Sequence, residues 1–197
     1  MANEQTPDDA ESLPKVILIG NSNVGKSSIM AFLVKGVHKY VGKAGKHPGT
    51  TLRIKPLRMP HDYELVDMPG FGFMTRTGRD STKQIWDKII HFVETNASHI
   101  RLALIIISLE NFRRNVEKWE DVQIPLDIEM GQFLQELGIP IKVVANKIDK
   151  LLPIQVQEDL AFVAEKMHIS PSDIFPTSVK LGKGLKEVKE YVIGLFT

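Results

Sequence analysis

At 197 residues and 43% hydrophobic content, the chain is long enough to bury a sizeable core as one domain, and its net charge of +1 points to no partner by itself. The absence of cysteine excludes a disulfide framework and thiolate chemistry. The longest apolar run, Leu102 to Leu109, is far short of the roughly 20 residues that span a bilayer.

The opening "MANEQTPDDAESLP" is polar and acidic, unlike a secretory signal. Residues 1–13 read as a flexible acidic leader and 14–197 as a single domain, with no membrane segment and a cytoplasmic location. Charge is unevenly spread. Between Ser12 and His61 there is no Asp or Glu but nine bases, among them Lys35, Lys39, Lys43, Lys46, Lys55 and Arg58.

"KVILIG" reads as a short strand that runs into a glycine loop. A helix is predicted from Lys26, turning Ile29, Met30 and Leu33 inward. After a Gly- and Lys-rich connection over 35–50, "LRIKPLRM" and "YELVDM" read as a strand pair turned at Pro60-His61-Asp62. Pro56, lacking an amide hydrogen, marks the first of the pair as an edge strand.

Gly70 to Thr82 reads as a second glycine-bearing loop, followed by a helix with Ile85, Ile89, Phe92 and Val93 on one face. "RLALIIIS" is apolar throughout, as in a central strand buried on both faces. Glu110 to Ile124 is charged and irregular and reads as an exposed loop or frayed helix. A helix carrying Leu126, Met130, Phe133, Leu134 and Leu137 stops at Gly138 and Pro140. "IKVVA" is a strand, Val156/Leu160/Val163/Met167 a helix, "DIFPTS" a last strand, and Leu185/Val188/Val192/Leu195 a closing helix. This alternation predicts one α/β domain with a largely parallel sheet covered by helices.

Four stretches fall where the predicted strands end, the edge at which parallel sheets bind ligands. Gly20, Gly25, Lys26 and Ser27 fit G-x-x-x-x-G-K-[ST], with Asn21, Ser22, Asn23 and Val24 between them and Ser28 after. Such a loop curls backbone N–H groups around phosphate oxygens; Lys26 reaches the β- and γ-phosphates and the Ser27 hydroxyl ligates Mg²⁺. In "DMPG" (Asp67, Met68, Pro69, Gly70) the carboxylate holds Mg²⁺ through water and Gly70 offers its N–H to a γ-phosphate. In "NKID" (Asn146, Lys147, Ile148, Asp149) the last carboxylate accepts both N1–H and N2–H₂ of guanine, a pair adenine cannot present. "TSVK", with Thr177, Ser178 and Val179, can offer an N–H to guanine O6. Singly, "DMPG" and "NKID" could be turns or helix caps. Together the four specify a guanine nucleotide.

The set "GNSNVGKS", "PGTT", "DMPG", "NKID" and "TSVK" resembles the five G motifs of the translation-factor-related GTPases. Within that class, "SNVGKSS", "PGTT" and "DMPGFGF" resemble the EngB (YihA/YsxC) family over about residues 14–196. The resemblance implies a Ras-like P-loop GTPase fold: a mostly parallel six-stranded sheet with one antiparallel edge strand and helices on both faces. It implies GTP and GDP as ligands and Mg²⁺ as cofactor. It puts Gly49, Thr50 and Thr51 in the first switch, with Thr51 on Mg²⁺ beside Ser27 and Asp67. Asn146 should contact the guanine, Lys147 lie along base and ribose, and Asp149 read the base edge. The implied role is large ribosomal subunit assembly, with a link to cell division and septation. Departures are Asn146 where the family usually has Thr, Ser108 where it often has Asp, and the segment "NFRRNVEKWED".

Gly70 is followed by Phe71, which cannot orient a water as the Gln of Ras-like enzymes does. Catalysis therefore falls to Lys26, Thr51 with Mg²⁺, and loop amides, which predicts slow intrinsic hydrolysis quickened by a partner or a cation. Asn23 matches a loop asparagine that helps bind K⁺ in related GTPases; alternatively it only tolerates the loop's backbone conformation. The basic stretch 35–58 either contacts ribosomal RNA or is a solvated loop, and Phe71 and Phe73 pack locally or bind a partner. A monomeric Mg²⁺-dependent GTPase switch is the favoured reading. The rivals are a nucleotide-gated interaction module with negligible hydrolysis, and an ATP-using kinase, with which Asp149 conflicts.

Overall fold

The computed structural model describes residues 13–37, 54–71, 79–119 and 121–197. In chain order these are β1 (Lys15–Gly20), α1 (Lys26–Leu33), β2 (Lys55–Met59), β3 (Tyr63–Asp67), α2 (Arg79–Asn96), β4 (Ile100–Ser108), α3 (Leu109–Trp119), α4 (Leu126–Glu136), β5 (Ile141–Asn146), α5 (Pro153–Lys166), β6 (Ile174–Pro176) and α6 (Leu185–Gly194). The six strands form one sheet in the order β2-β3-β1-β4-β5-β6. Every pairing is parallel except β2 with β3, so the sheet is the expected Ras-like one with a single antiparallel edge strand.

Strand side chains alternate between two cores, which is why the central strands are apolar throughout. Ile17, Ile19, Ala103, Ile105 and Ile107 face the core covered by α2, α3, α4 and α5. Val16, Leu18, Leu102, Leu104 and Ile106 face the core covered by α1 and α6. On β2, Pro56 lies exposed between the exposed Lys55 and Arg58, so the sheet edge is blunted by a missing donor and by charge. No helix of the described residues is long and apolar enough to cross a membrane.

Several sequence expectations need correcting. Of the two readings open for Glu110 to Ile124, the helix holds as far as Trp119: α3 runs regularly from Leu109 to Trp119 and buries Leu109, Phe112 and Val116, while 121–124 lie outside any helix. The charge of α3 misleads because part of that charge is structural. Arg113 Nε donates to Asp159 Oδ1 of α5 at 2.6 Å, and its guanidinium lies 4.1 Å from the Phe162 ring centre. The second glycine-bearing loop does not extend to Thr82, because α2 already begins at Arg79. The last strand is only Ile174–Pro176. Leu137 and Leu195 lie just beyond their helices and are exposed. Phe196 takes the inward position instead, stacked on Tyr63 with ring centres 4.1 Å apart. Phe71 is fully buried and meets Trp86 edge-on at 5.8 Å, which decides for local packing. Phe73 lies outside the described residues.

Asp127, in the first turn of α4, keeps Oδ1 buried without a hydrogen-bond partner, and burial pushes its carboxyl up to about 7. A folded pKa above the unfolded value means that this site favours folding at low pH and loses that contribution as pH rises toward 7. Asp127→Asn is expected to stabilise the protein at pH 8 by about 2–4 kcal/mol and to leave it little changed at pH 4. Urea melts of both proteins at the two pH values check this, and an equal difference at both would contradict it.

Candidate functional site

The C-terminal ends of four parallel strands deliver the motif residues to one edge of the sheet: Gly20 ends β1, Asp67 ends β3, Asn146 ends β5, and Thr177 follows β6. There the backbone departs from regular geometry. Asn23 (φ 64°), Gly25 (φ 102°) and Lys147 (φ 69°) are all left-handed. Asn23 is exposed and is a residue type that adopts this conformation readily. Asn21 Oδ1 accepts the N–H of Ser22 at 2.8 Å, which gives this asparagine a structural task that the motif does not reveal.

Lys26 opens α1 at the phosphate loop, where the helix directs its positive dipole end. Its Nζ donates to Asp67 Oδ1 at 2.6 Å, with the lysine side chain 7% exposed and the carboxylate fully buried. Ser27 lies one residue further along. Gly70 approaches the phosphate loop so closely that a Cβ there would lie 3.1 Å from Ser22 Oγ.

At the other end of the site Asn146 acts as a staple. Its Nδ2 donates to Val24 O of the phosphate loop at 2.8 Å, while its Oδ1 accepts the Val179 N–H at 3.2 Å and the Thr177 hydroxyl at 3.4 Å. This residue thus ties three of the motifs together. Gly25 is needed for the same reason, since a Cβ on it would lie 2.3 Å from Asn146 Nδ2. Gly25→Ala is therefore expected to break the staple, destabilise the protein by about 1–3 kcal/mol and weaken GTP binding at least about tenfold. Thermal melts and a fluorescent-nucleotide titration test this; unchanged affinity would refute it.

Asp149 lies in the 3-10 turn Ile148–Lys150, which Lys147 starts. Ser178 Oγ, fully buried, donates to Asp149 Oδ1 at 2.5 Å and accepts the Leu181 N–H at 3.1 Å. That hydrogen bond, ahead of a backbone hydrogen bond and the nearby Lys180 and Lys150, holds the Asp149 carboxyl below its ordinary value against the opposing cost of desolvation. An ionised, oriented acceptor is what two guanine N–H groups require. Ile148 N–H donates to Thr177 O at 3.2 Å, which joins the "NKID" and "TSVK" loops.

The structure thus brings together Gly20 to Ser28, Asp67 to Gly70, Asn146 to Asp149, and Thr177 to Val179. Gly49, Thr50 and Thr51 lie outside the described residues.

A family model described as "50S ribosome-binding GTPase" matches residues 15–147. The "Probable GTP-binding protein EngB" of Methanopyrus kandleri is 37% identical over 185 residues, covering 90% of each chain. A crystal structure of a probable GTP-binding protein EngB superposes with a TM-score of 0.80 at 34% identity, covering 92% of this chain and 98% of the other. The NFeoB of S. thermophilus, solved with GDP·AlF4⁻ and K⁺, shares the fold at 21% identity with a TM-score of 0.59, covering 91% of this chain and 60% of that one. Set beside the phosphate loop, the buried Lys26–Asp67 pair and the carboxylate poised at Asp149, these likenesses establish that the chain belongs to the EngB family of GTP-binding, GTP-hydrolysing proteins.

Proposed function

We propose that residues 14–197 form one GTP-binding domain that works as a Mg²⁺-dependent switch on the large ribosomal subunit as it is assembled. The observation carrying the reading is the convergence of Lys26 and Asp67 at one end of the strand edge with Ser178 and Asp149 at the other. In this reading Gly20 to Ser28 wrap the phosphates, with Lys26 on the β- and γ-phosphates. Gly70 meets the γ-phosphate and Thr51 belongs to the first switch. Asn146 and Lys147 flank the guanine, Asp149 reads its edge, and Thr177 to Val179 close over it.

The donor set suits Mg²⁺. Ser27 offers a hydroxyl and Asp67 a carboxylate, both hard oxygen donors of the kind that Mg²⁺ takes. Ser27, Asp67 and Thr51 would hold the ion, which supplies positive charge against the phosphates. The chain's own contribution is Lys26, whose ammonium stabilises charge that develops on the β–γ bridge. Gly70 is followed by Phe71, which is buried in the core and has no group to orient an attacking water, and this supports a slow intrinsic rate.

K⁺ at Asn23 is part of the proposal, supported by the potassium bound in NFeoB. Turnover in KCl should exceed that in NaCl at least about tenfold, and equal rates would reject the role. The ribosomal part rests on the family's description and on the exposed Lys35, Lys55 and Arg58 within the basic stretch 35–58. We place the protein in the cytoplasm as a monomer. Co-sedimentation with large ribosomal subunits in GDP and in a non-hydrolysable GTP analogue tests the reading: state-dependent binding supports it, and identical or absent binding in both states overturns it.

A further inference from the structure

We infer that Lys150, Lys180 and Lys183 form a rigid basic collar beside the guanine edge that docks the phosphate backbone of RNA. The two loops 146–152 and 177–184 carry four lysines and a single carboxylate, Asp149, which is turned toward Ser178. Setting aside Lys147, which serves the nucleotide, the other three are exposed, and none has a carboxylate within ion-pair distance among the described residues. By contrast, Lys15, Lys142 and Lys186 each take a glutamate or aspartate.

The three lysines belong to one surface. Lys150 and Lys180 both lie close enough to Asp149 to stabilise its charge. Lys183 exchanges N–H···O bonds of 3.0 and 3.1 Å with Ser178, whose hydroxyl reaches Asp149. These bonds, with Ile148 N–H on Thr177 O and Leu181 N–H on Ser178 Oγ, hold the loops in one arrangement before any partner arrives. Backbone pre-ordering of this kind lowers the entropy cost of docking.

The chemistry favours a phosphate polymer. Ammonium groups act as point charges, and neither loop supplies an arginine or an aromatic ring, so the surface suits backbone contact without base readout. Exposed Leu152 and Leu181 flank the collar, and an acidic, apolar peptide is the competing occupant that the experiment must separate. The inference rests on the ribosomal reading above, but places an RNA contact outside 35–58.

The test compares the full chain with Lys150→Glu/Lys183→Glu and with the milder Lys150→Gln/Lys183→Gln, all loaded with GDP. Anisotropy of a labelled 40-nucleotide RNA hairpin is followed across a KCl series. With GDP saturating for every protein, removing two phosphate contacts should make the slope of log K against log[KCl] shallower by about 1.4–1.8 and lower the RNA affinity at least about tenfold. An unchanged slope in both variants overturns the inference. So does tighter binding of wild type to poly-L-glutamate than to the hairpin, which would assign the collar to an acidic protein. Co-sedimentation separates the two readings. Subunits that bind wild type and both variants alike overturn the collar and leave the ribosomal reading standing. Subunits that never bind wild type, alongside hairpin binding that needs Lys150 and Lys183, do the reverse.

Discussion

Asp149→Asn is expected to lower GTP affinity on the order of 1,000-fold and to make xanthosine triphosphate the better ligand. In the proposed reading the wild-type carboxylate accepts two N–H bonds from guanine, and it is oriented by the fully buried Ser178 hydroxyl at 2.5 Å. An asparagine turns one of its two acceptors into a donor. Against guanine that donor meets another donor, and a buried mismatch costs the full desolvation of both groups. Against xanthine, whose C2 carries an oxygen, the same donor is paired.

Ser178→Ala supplies the control. It should weaken GTP binding by about tenfold without creating a preference for xanthine, because the acceptor remains and only its orientation is lost. It also has a pH signature. The Ser178 hydrogen bond is the largest influence lowering the Asp149 pKa, so wild-type affinity should hold as pH falls through the ordinary carboxylate range. In Ser178→Ala the affinity should begin to fall at higher pH, where the less supported carboxylate takes up its proton. Competition titrations with both nucleotides across pH decide the matter, and unchanged guanine preference in Asp149→Asn would remove this residue from base recognition.

The parts of this fold legible in the sequence are those whose cause is local. "KVILIG" and "RLALIIIS" declare central strands because strands buried on both faces have no polar side. Pro56 declares an edge because its missing donor has no place inside a sheet. The placement of the motif residues was legible for a related reason: they sit in short stretches at strand ends, which the parallel sheet gathers along one edge. Helix α3 was half legible: Leu109, Phe112 and Val116 fall at i, i+3 and i+7 on one helix face, but the charge between them left a loop open as well, and the partner that holds Arg113 lies far off in sequence on α5. The wiring of the site was hidden in the same way. Asn146 and Val24 lie 122 positions apart and Ser178 and Asp149 29 apart, so neither contact has a spacing that a motif could encode. Asn21 escaped for the opposite reason: its bond to the next amide is so local that it leaves no pattern.

Lys26 and Asp67 allow stability to be separated from function. Their 2.6 Å contact is almost wholly out of water, so each charge is tolerable because the other is present. Lys26→Met should destabilise the fold by about 3–5 kcal/mol, since the carboxylate then stays buried without its ammonium. Asp67→Asn in the same background removes the carboxylate's charge, and the double variant should recover most of that loss. If the lysine served only the fold, nucleotide binding would recover as well. The functional role predicts otherwise: the double variant should melt near the wild-type temperature yet bind GTP about 100-fold more weakly, having lost the cation that meets the phosphates and the carboxylate assigned to Mg²⁺. Urea melts of the three proteins give the coupling energy, and nucleotide titrations with and without Mg²⁺ give the functional side. A double variant that regains both stability and affinity would reduce the pair to a buried salt bridge.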